Sequence, residues 1–248
     1  MIRPILRWVV SACALVIFSA AMSAGMSAGP LPVLDDSARI KWQAVGRLNG
    51  VGFSSRQGCS GTLIAPDLVV TAAHCTGATE RIGPSRHFLA GWYRGKYVAH
   101  RVSEDVQVHP LYELTKGNKR VAYDIAVIRL ADPIPEELVV PVPLVSPDVM
   151  PMQRALLLGY QNSRPHALSG QGDCPLIPKT LYDLQIFACE VVGGTSGGAA
   201  ILESEDGAAL AAVIVARQGP QGNAVVVPVN DWLRDAWREA LRREAARQ

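Results

Sequence analysis

The chain has 248 residues, a hydrophobic share of 49% and a formal net charge of +2. That length and apolar content exclude a disordered chain and fit one large domain or two small ones with packed cores. Lys and Arg are spread among the acids rather than gathered into a basic stripe, which argues against a nucleic-acid partner.

The chain opens with Met-Ile-Arg-Pro-Ile-Leu-Arg, continues with an apolar run from Trp8 to Ala21, and leaves through Ser23-Ala24-Gly25 and Ser27-Ala28-Gly29. A basic start, a short apolar stretch and small residues at the exit make a secretory signal peptide, residues 1–24, with cleavage after Ala24 or as late as Ala28. The run is shorter than the roughly 20 residues that span a bilayer, so no stable membrane anchor is expected after cleavage, and the localisation is secreted, periplasmic or extracellular. Cys13 is not read as a lipid-attachment site, because the apolar stretch continues past it to Phe18. Residues 25–41 read as a leader or short propeptide, with Pro30 to Ser37 as a flexible arm and the fold proper beginning near Trp42.

From Trp42 onward, short Val, Ile and Leu runs recur between Gly and Pro breaks: Gly61 to Ile64, Leu68 to Ala73, Ile125 to Leu130, Ala155 to Gly159, Ala211 to Ala216 and Ala224 to Val229. Many strands with turn punctuation predict an all-β barrel or sandwich. Prolines 133, 135, 141, 143, 147 and 151 divide the strands into a first unit over 42–135 and a second over 136–229. Gln161 to Lys179, polar and rich in Gly and Pro, is expected as an exposed loop. A C-terminal helix over 230–248 is signalled by Asn230 as cap and by Leu233, Trp237 and Leu241 at intervals of four. Its arginines alternate with acids, the pattern of a solvated, ion-paired face.

Without the signal, Cys59, Cys75, Cys174 and Cys189 remain, an even number in a protein sent to an oxidising compartment, and two disulfides follow. Three pairings are open; Cys59 with Cys75 and Cys174 with Cys189 close short loops within each half. A zinc site built from these cysteines and His74 lacks any C-x-x-C spacing.

Three segments carry chemistry. His74 ends an apolar strand in Val69-Val-Thr-Ala-Ala-His-Cys75, where a crosslink back along the hairpin would hold the imidazole rigid enough to act as a base. Asp124 leads into the apolar strand Ile125 to Leu130, so its carboxylate is part-buried and needs a partner, for which His74 is the candidate. Ser196 stands among glycines in Gly193-Gly-Thr-Ser-Gly-Gly198, where the backbone N–H groups of Gly194 and Ser196 can converge on a developing oxyanion. Gly-x-Ser-x-Gly also marks the nucleophile elbow of α/β-hydrolases, but there the histidine follows the serine, and the histidines here, at 74, 87, 100, 109 and 166, all precede it.

The blocks Cys59-Ser-Gly-Thr-Leu-Ile-Ala-Pro-Asp-Leu-Val-Val-Thr-Ala-Ala-His-Cys75, Asp124-Ile-Ala-Val-Ile-Arg-Leu130 and Gly194-Thr-Ser-Gly-Gly198 closely resemble the three signatures of the trypsin and chymotrypsin superfamily, and the likeness runs from Trp42 to Trp232. It is most similar to bacterial trypsin-like members near the glutamyl endopeptidases. The resemblance implies two perpendicular six-stranded Greek-key β-barrels with the active site between them. It also implies a His74, Asp124, Ser196 triad, an oxyanion hole at Gly194 and Ser196, a monomer acting on protein or peptide substrates, and no metal or organic cofactor. The alternative is a catalytically silent homologue that only binds.

Two departures bear on function. The aspartate that precedes the nucleophile in animal trypsins is Thr195 here, and the Ile-Val-Gly-Gly start is replaced by nothing closer than Val45-Gly-Arg-Leu48, so activity is expected not to depend on an inserted N-terminal ammonium. Glu190, six residues before Ser196, stands where the resemblance puts the acid of the specificity pocket and points to Lys or Arg before the cut; Arg217 and Gln218 would equally favour acidic or polar side chains.

Overall fold

A computed structural model describes residues 29–50, 58–77, 85–148, 152–205 and 207–247, so the signal peptide expected at 1–24 lies outside the described residues. Twelve strands close into two antiparallel barrels. The first holds β1 (Val45–Asn49), β2 (Cys59–Ala65), β3 (Leu68–Thr71), β4 (His87–Ala90), β5 (Ala99–Val108) and β6 (Ala126–Leu130), in the order β1-β2-β3-β6-β5-β4. The second holds β7 (Arg154–Gln161), β8 (Arg164–Leu181), β9 (Leu184–Glu190), β10 (Ala199–Ser204), β11 (Gly207–Gln218) and β12 (Asn223–Pro228), in the order β10-β11-β12-β9-β8-β7. The pairings of β3 with β6 and of β12 with β9 skip strands in sequence, which is the Greek-key connection.

Closure removes exposed sheet edges and lets apolar side chains fill each barrel. Leu63, Val69, Phe88, Leu89 and Ile128 pack the first, in a cluster that continues across the seam through Leu158, Tyr160 and Val213. Between the barrels, the proline-rich connector is tied to both, Val142 N–H donating to Leu63 O and Val145 N–H to Leu210 O. Proline has no N–H to leave unpaired, so such a connector can cross apolar surface at little cost.

Two expectations are corrected. Pro30 to Ser37 is not a flexible arm: Leu31 is wholly buried in the second barrel's core, its carbonyl accepts from Gln161 Nε2 and Arg164, and Leu34 N–H donates to Leu168 O at 3.0 Å. Helix α1 (Asp36–Lys41) follows, capped by Asp35, whose carboxylate accepts from Ala38 N–H at 2.8 Å, so the described fold begins well before Trp42. Gln161 to Lys179 is not a loop but mostly β8, paired with β7 on one side and β9 on the other. Pro165, Gly172 and Pro178 fall at register shifts, where an irregular ladder spares the bonds a proline cannot make.

Helix α2 (Asp231–Ala245) begins at Asn230, whose side chain accepts from Leu233 N–H at 3.0 Å. Leu233 and Ala240 face the barrels, and Trp237 Nε1 donates to Ile64 O at 2.7 Å. The outer face carries Asp235–Arg238, Glu239–Arg242 and Glu244–Arg247 ion pairs. Near its end, Arg243 and Arg247 both reach Asp67 on the β2–β3 turn. The disulfides join Cys59 to Cys75 and Cys174 to Cys189.

Candidate active site

Just past the end of β3, a single 3-10 turn, Ala73–Thr76, carries His74. Thr76 Oγ1 closes the turn on Ala73 O at 2.7 Å, the buried Arg86 guanidinium holds Thr76 O from outside, and the disulfide ties Cys75 to β2. A turn this constrained keeps the imidazole from drifting. Asp124, only 6% exposed, lies where a second 3-10 segment meets β6. One carboxylate oxygen accepts the His74 backbone N–H at 2.9 Å and the other meets the ring Nδ1 at 2.7 Å, so the buried charge is satisfied twice by one residue. A carboxylate can only accept; Nδ1 therefore carries the proton and Nε2 is left as the acceptor on a side chain that is 39% exposed. Behind Asp124, burial first and the Asp124 charge second push the Tyr112 phenol above its usual value, with the Arg120 guanidinium 3.9 Å from its ring.

The Ser196 loop sits between β9 and β10. In a trans peptide the C=O and N–H point in opposite directions, so an N–H is aimed by anchoring its own carbonyl. Gly193 O accepts from Asn162 N–H at 2.8 Å and Thr195 O from Gly198 N–H at 2.8 Å, which turns the N–H groups of Gly194 and Ser196 away from those anchors. Neither N–H has a protein acceptor among the described residues. Gly194 has φ +98°, and a Cβ there would lie 2.7 Å from Asn162 N, so only glycine fits. Thr195 is buried, and its hydroxyl donates to Val192 O at 2.7 Å.

Ser196 reaches the first barrel through its carbonyl, which accepts from Ser60 N–H at 2.7 Å and lies 3.8 Å from Cys75 Sγ. Cys75 Sγ is also within 4.8 Å of a His74 ring nitrogen, so Ser196 and His74 have Cys75 as a common neighbour at the seam. No hydrogen bond joins the Ser196 hydroxyl to His74 among the described residues. The cysteine sulfurs beside His74 are bonded to each other and so are not thiolate ligands for zinc.

Glu190, Arg217 and Gln218 are also neighbours. Asn223 of β12 pairs with Gln218 on one side and Glu190 on the other, and Arg217 pairs with Ala224. A Cβ on Gly222 would come 3.1 Å from Glu190 Cγ, so the glycine leaves space for that side chain. Glu190 and Arg217 form no ion pair with any described residue. Sequence reasoning passed over Ser60, Thr71 and Asn162, whose bonds position the nucleophile loop; Ser60 lies within the block around Cys59, but nothing local shows a hydroxyl whose partner is more than a hundred residues away.

The sequence profile of the family described as Trypsin matches residues 36–233. The chain belongs to the trypsin family. No curated protein sequence matches it. Among solved structures, this trypsin-family chain is similar to the protease Anisep from Arthrobacter nicotinovorans, with 16% identity, a TM-score of 0.65, and 80% of this chain and 95% of that one covered. It is also similar to a Glu endopeptidase in complex with MPD, with 16% identity, a TM-score of 0.66, and 89% of this chain and 99% of that one covered. At that identity these likenesses carry the fold, and the two closed barrels of this trypsin-family member agree with it.

Proposed function

We propose that the chain is an exported serine endopeptidase that cleaves peptide bonds through a covalent acyl-enzyme at Ser196. The observation that carries the reading is the double hold of Asp124 on His74, which fixes the imidazole tautomer with Nε2 as base. His74 Nε2 takes the Ser196 hydroxyl proton as Oγ bonds to the substrate carbonyl carbon, and the carbonyl oxygen becomes an oxyanion facing the Gly194 and Ser196 N–H groups. His74 then gives that proton to the leaving amine as the C–N bond breaks; water, deprotonated by His74, attacks the acyl carbon, the C–Oγ bond breaks, and His74 returns the proton to Ser196 Oγ as the acid product leaves. The missing Ser196–His74 hydrogen bond is compatible with this sequence, since such bonds are commonly long before substrate binds. The disulfides fit an oxidising compartment, and no helix among the described residues is long and apolar enough to cross a membrane.

Retention of all three residues and of the flanking glycines favours the enzyme over a silent homologue. For the residue before the cut, Glu190, beside Gly222 and without an ion pair among the described residues, favours Lys or Arg, while the exposed Arg217 is the observation that favours acidic side chains. Cleavage of a mixed-sequence peptide library by the purified mature protein tests both. Turnover that vanishes in Ser196→Ala is expected, and turnover surviving that change refutes the assignment. A basic preference lost in Glu190→Gln assigns the pocket to Glu190, and an acidic or random preference removes that role.

A further inference from the structure

Ser60 stands outside the proposed triad and oxyanion hole, yet two hydrogen bonds tie this first-barrel residue to the nucleophile loop. Its side chain is fully buried. The hydroxyl donates to Gly194 O at 2.9 Å and accepts from Tyr160 N–H at 2.8 Å, so one oxygen bridges the loop and strand β7. The backbone N–H of the same residue donates to Ser196 O at 2.7 Å. Ser60 is held in turn from beneath, its carbonyl accepting from the buried Thr71 hydroxyl at 2.8 Å.

These bonds fall on consecutive peptide planes. The plane ending at Gly194 is anchored by Asn162, the next by the Ser60 hydroxyl on its carbonyl side and by Thr195 N–H to Val192 O at 3.2 Å on its other side, the one ending at Ser196 by Gly198, and the one after it by Ser60 N–H and by Gly197 N–H to Ile214 O. Gly194 lies between the first two, and its φ of +98° is a conformation that a glycine, with no Cβ to restrain it, leaves easily once the carbonyl side of a plane is released. Nothing else among the described residues anchors the Gly194 carbonyl.

We infer that Ser60 is a positioning residue for the oxyanion hole: its hydroxyl locks the Gly194 carbonyl and thereby holds the Gly194 and Ser196 N–H groups in convergence. The inference rests on the serine-peptidase reading. Ser60 touches no reacting atom, so its removal acts on the acylation rate and not on ground-state binding, because the donors it aligns meet full charge only in the transition state.

The test is pre-steady-state acylation of Ser60→Ala by p-nitrophenyl acetate, with the burst amplitude counting active sites and a thermal melt reporting the fold. The acylation rate constant is expected to fall by roughly tenfold to 100-fold, up to the loss seen when one oxyanion donor is deleted, with Ks unchanged. If Ser60→Ala does not accumulate folded, Ser60→Gly carries the same test, because it also removes the tether while leaving room for water to solvate Tyr160 N–H. An acylation rate within about twofold of wild type in the folded variant overturns the inference, as does a loss that appears wholly in Ks. A wild-type protein that shows no burst overturns the serine-peptidase reading instead, so the two failures are distinct.

Discussion

Asp67 makes a demanding test of how the C-terminal helix is held. Its side chain is 1% exposed and accepts from Arg243 Nε and Nη2, both at 3.1 Å, and from Arg247 Nη2 at 2.9 Å. In Asp67→Asn the charge disappears and a donor amide replaces one acceptor oxygen. Breaking a fully buried pair costs about 3–5 kcal/mol. Here the guanidinium groups are 29% and 42% exposed, and can be rehydrated, which lowers the loss to about 2–3 kcal/mol. In a chain of this size each kcal/mol moves the melting temperature by roughly 2–4 °C, so a fall of about 4–12 °C is expected. Four strand residues, Leu68 to Thr71, separate Asp67 from the His74 turn, and ester turnover per active site at 25 °C should stay at the wild-type level. Differential scanning calorimetry checks the first expectation and burst-normalised turnover the second. A melting point within about 1 °C of wild type, in a variant that is otherwise intact, would show that α2 is held by Leu233, Ala240 and Trp237 alone.

Three further outcomes follow from the same geometry. Gly194→Ala places a Cβ 2.7 Å from Asn162 N at φ +98° and should slow acylation by on the order of 100-fold in a protein with a wild-type circular dichroism spectrum; a near-normal rate contradicts the glycine argument. Because the Thr195 hydroxyl is satisfied by Val192 O, acetylating or extending the mature N-terminus should leave turnover within about twofold, and loss of turnover without unfolding refutes that independence. Burial holds His109 below the ordinary histidine value, its Nδ1 accepting from Leu111 N–H and its ring between Tyr123 and Trp232. The unfolded chain therefore binds more protons, so this contribution is complete above about pH 6.5 and is lost as pH falls through the folded value. His109→Asn keeps a capping acceptor and should flatten melting temperature against pH between 7.5 and 5, whereas an unchanged slope assigns the effect elsewhere, first to His100, which burial and the charges of His87 and Arg101 also lower.

Much of the fold is legible in the chain because barrel strands carry apolar runs such as Leu68 to Val70 and Ala211 to Ala216, with turn residues such as Pro66 and Gly219 close by. The His74 and Ser196 segments are legible for a related reason, since a base needs a rigid turn and an oxyanion site needs glycine. Long strand β8 was hidden because its stability comes from pairing with β7 and β9, while its own Gly, Pro and polar content reads as loop. The docking of Pro30 to Leu34 was hidden because it depends on one apolar side chain, Leu31, and on Gln161 and Arg164 waiting across the second barrel. Ser60 illustrates the same limit: a hydroxyl declares its role only through partners such as Gly194 and Tyr160, which folding alone brings to it.

The central claim is that Ser196 is an activated nucleophile, and reaction with a fluorophosphonate followed by peptide mass mapping addresses it directly. The account predicts one adduct per molecule, on the peptide containing Ser196, with its formation rate collapsing in His74→Ala although that substitution leaves the loop itself intact. No adduct on the folded wild-type protein, or one placed on another residue, would contradict it.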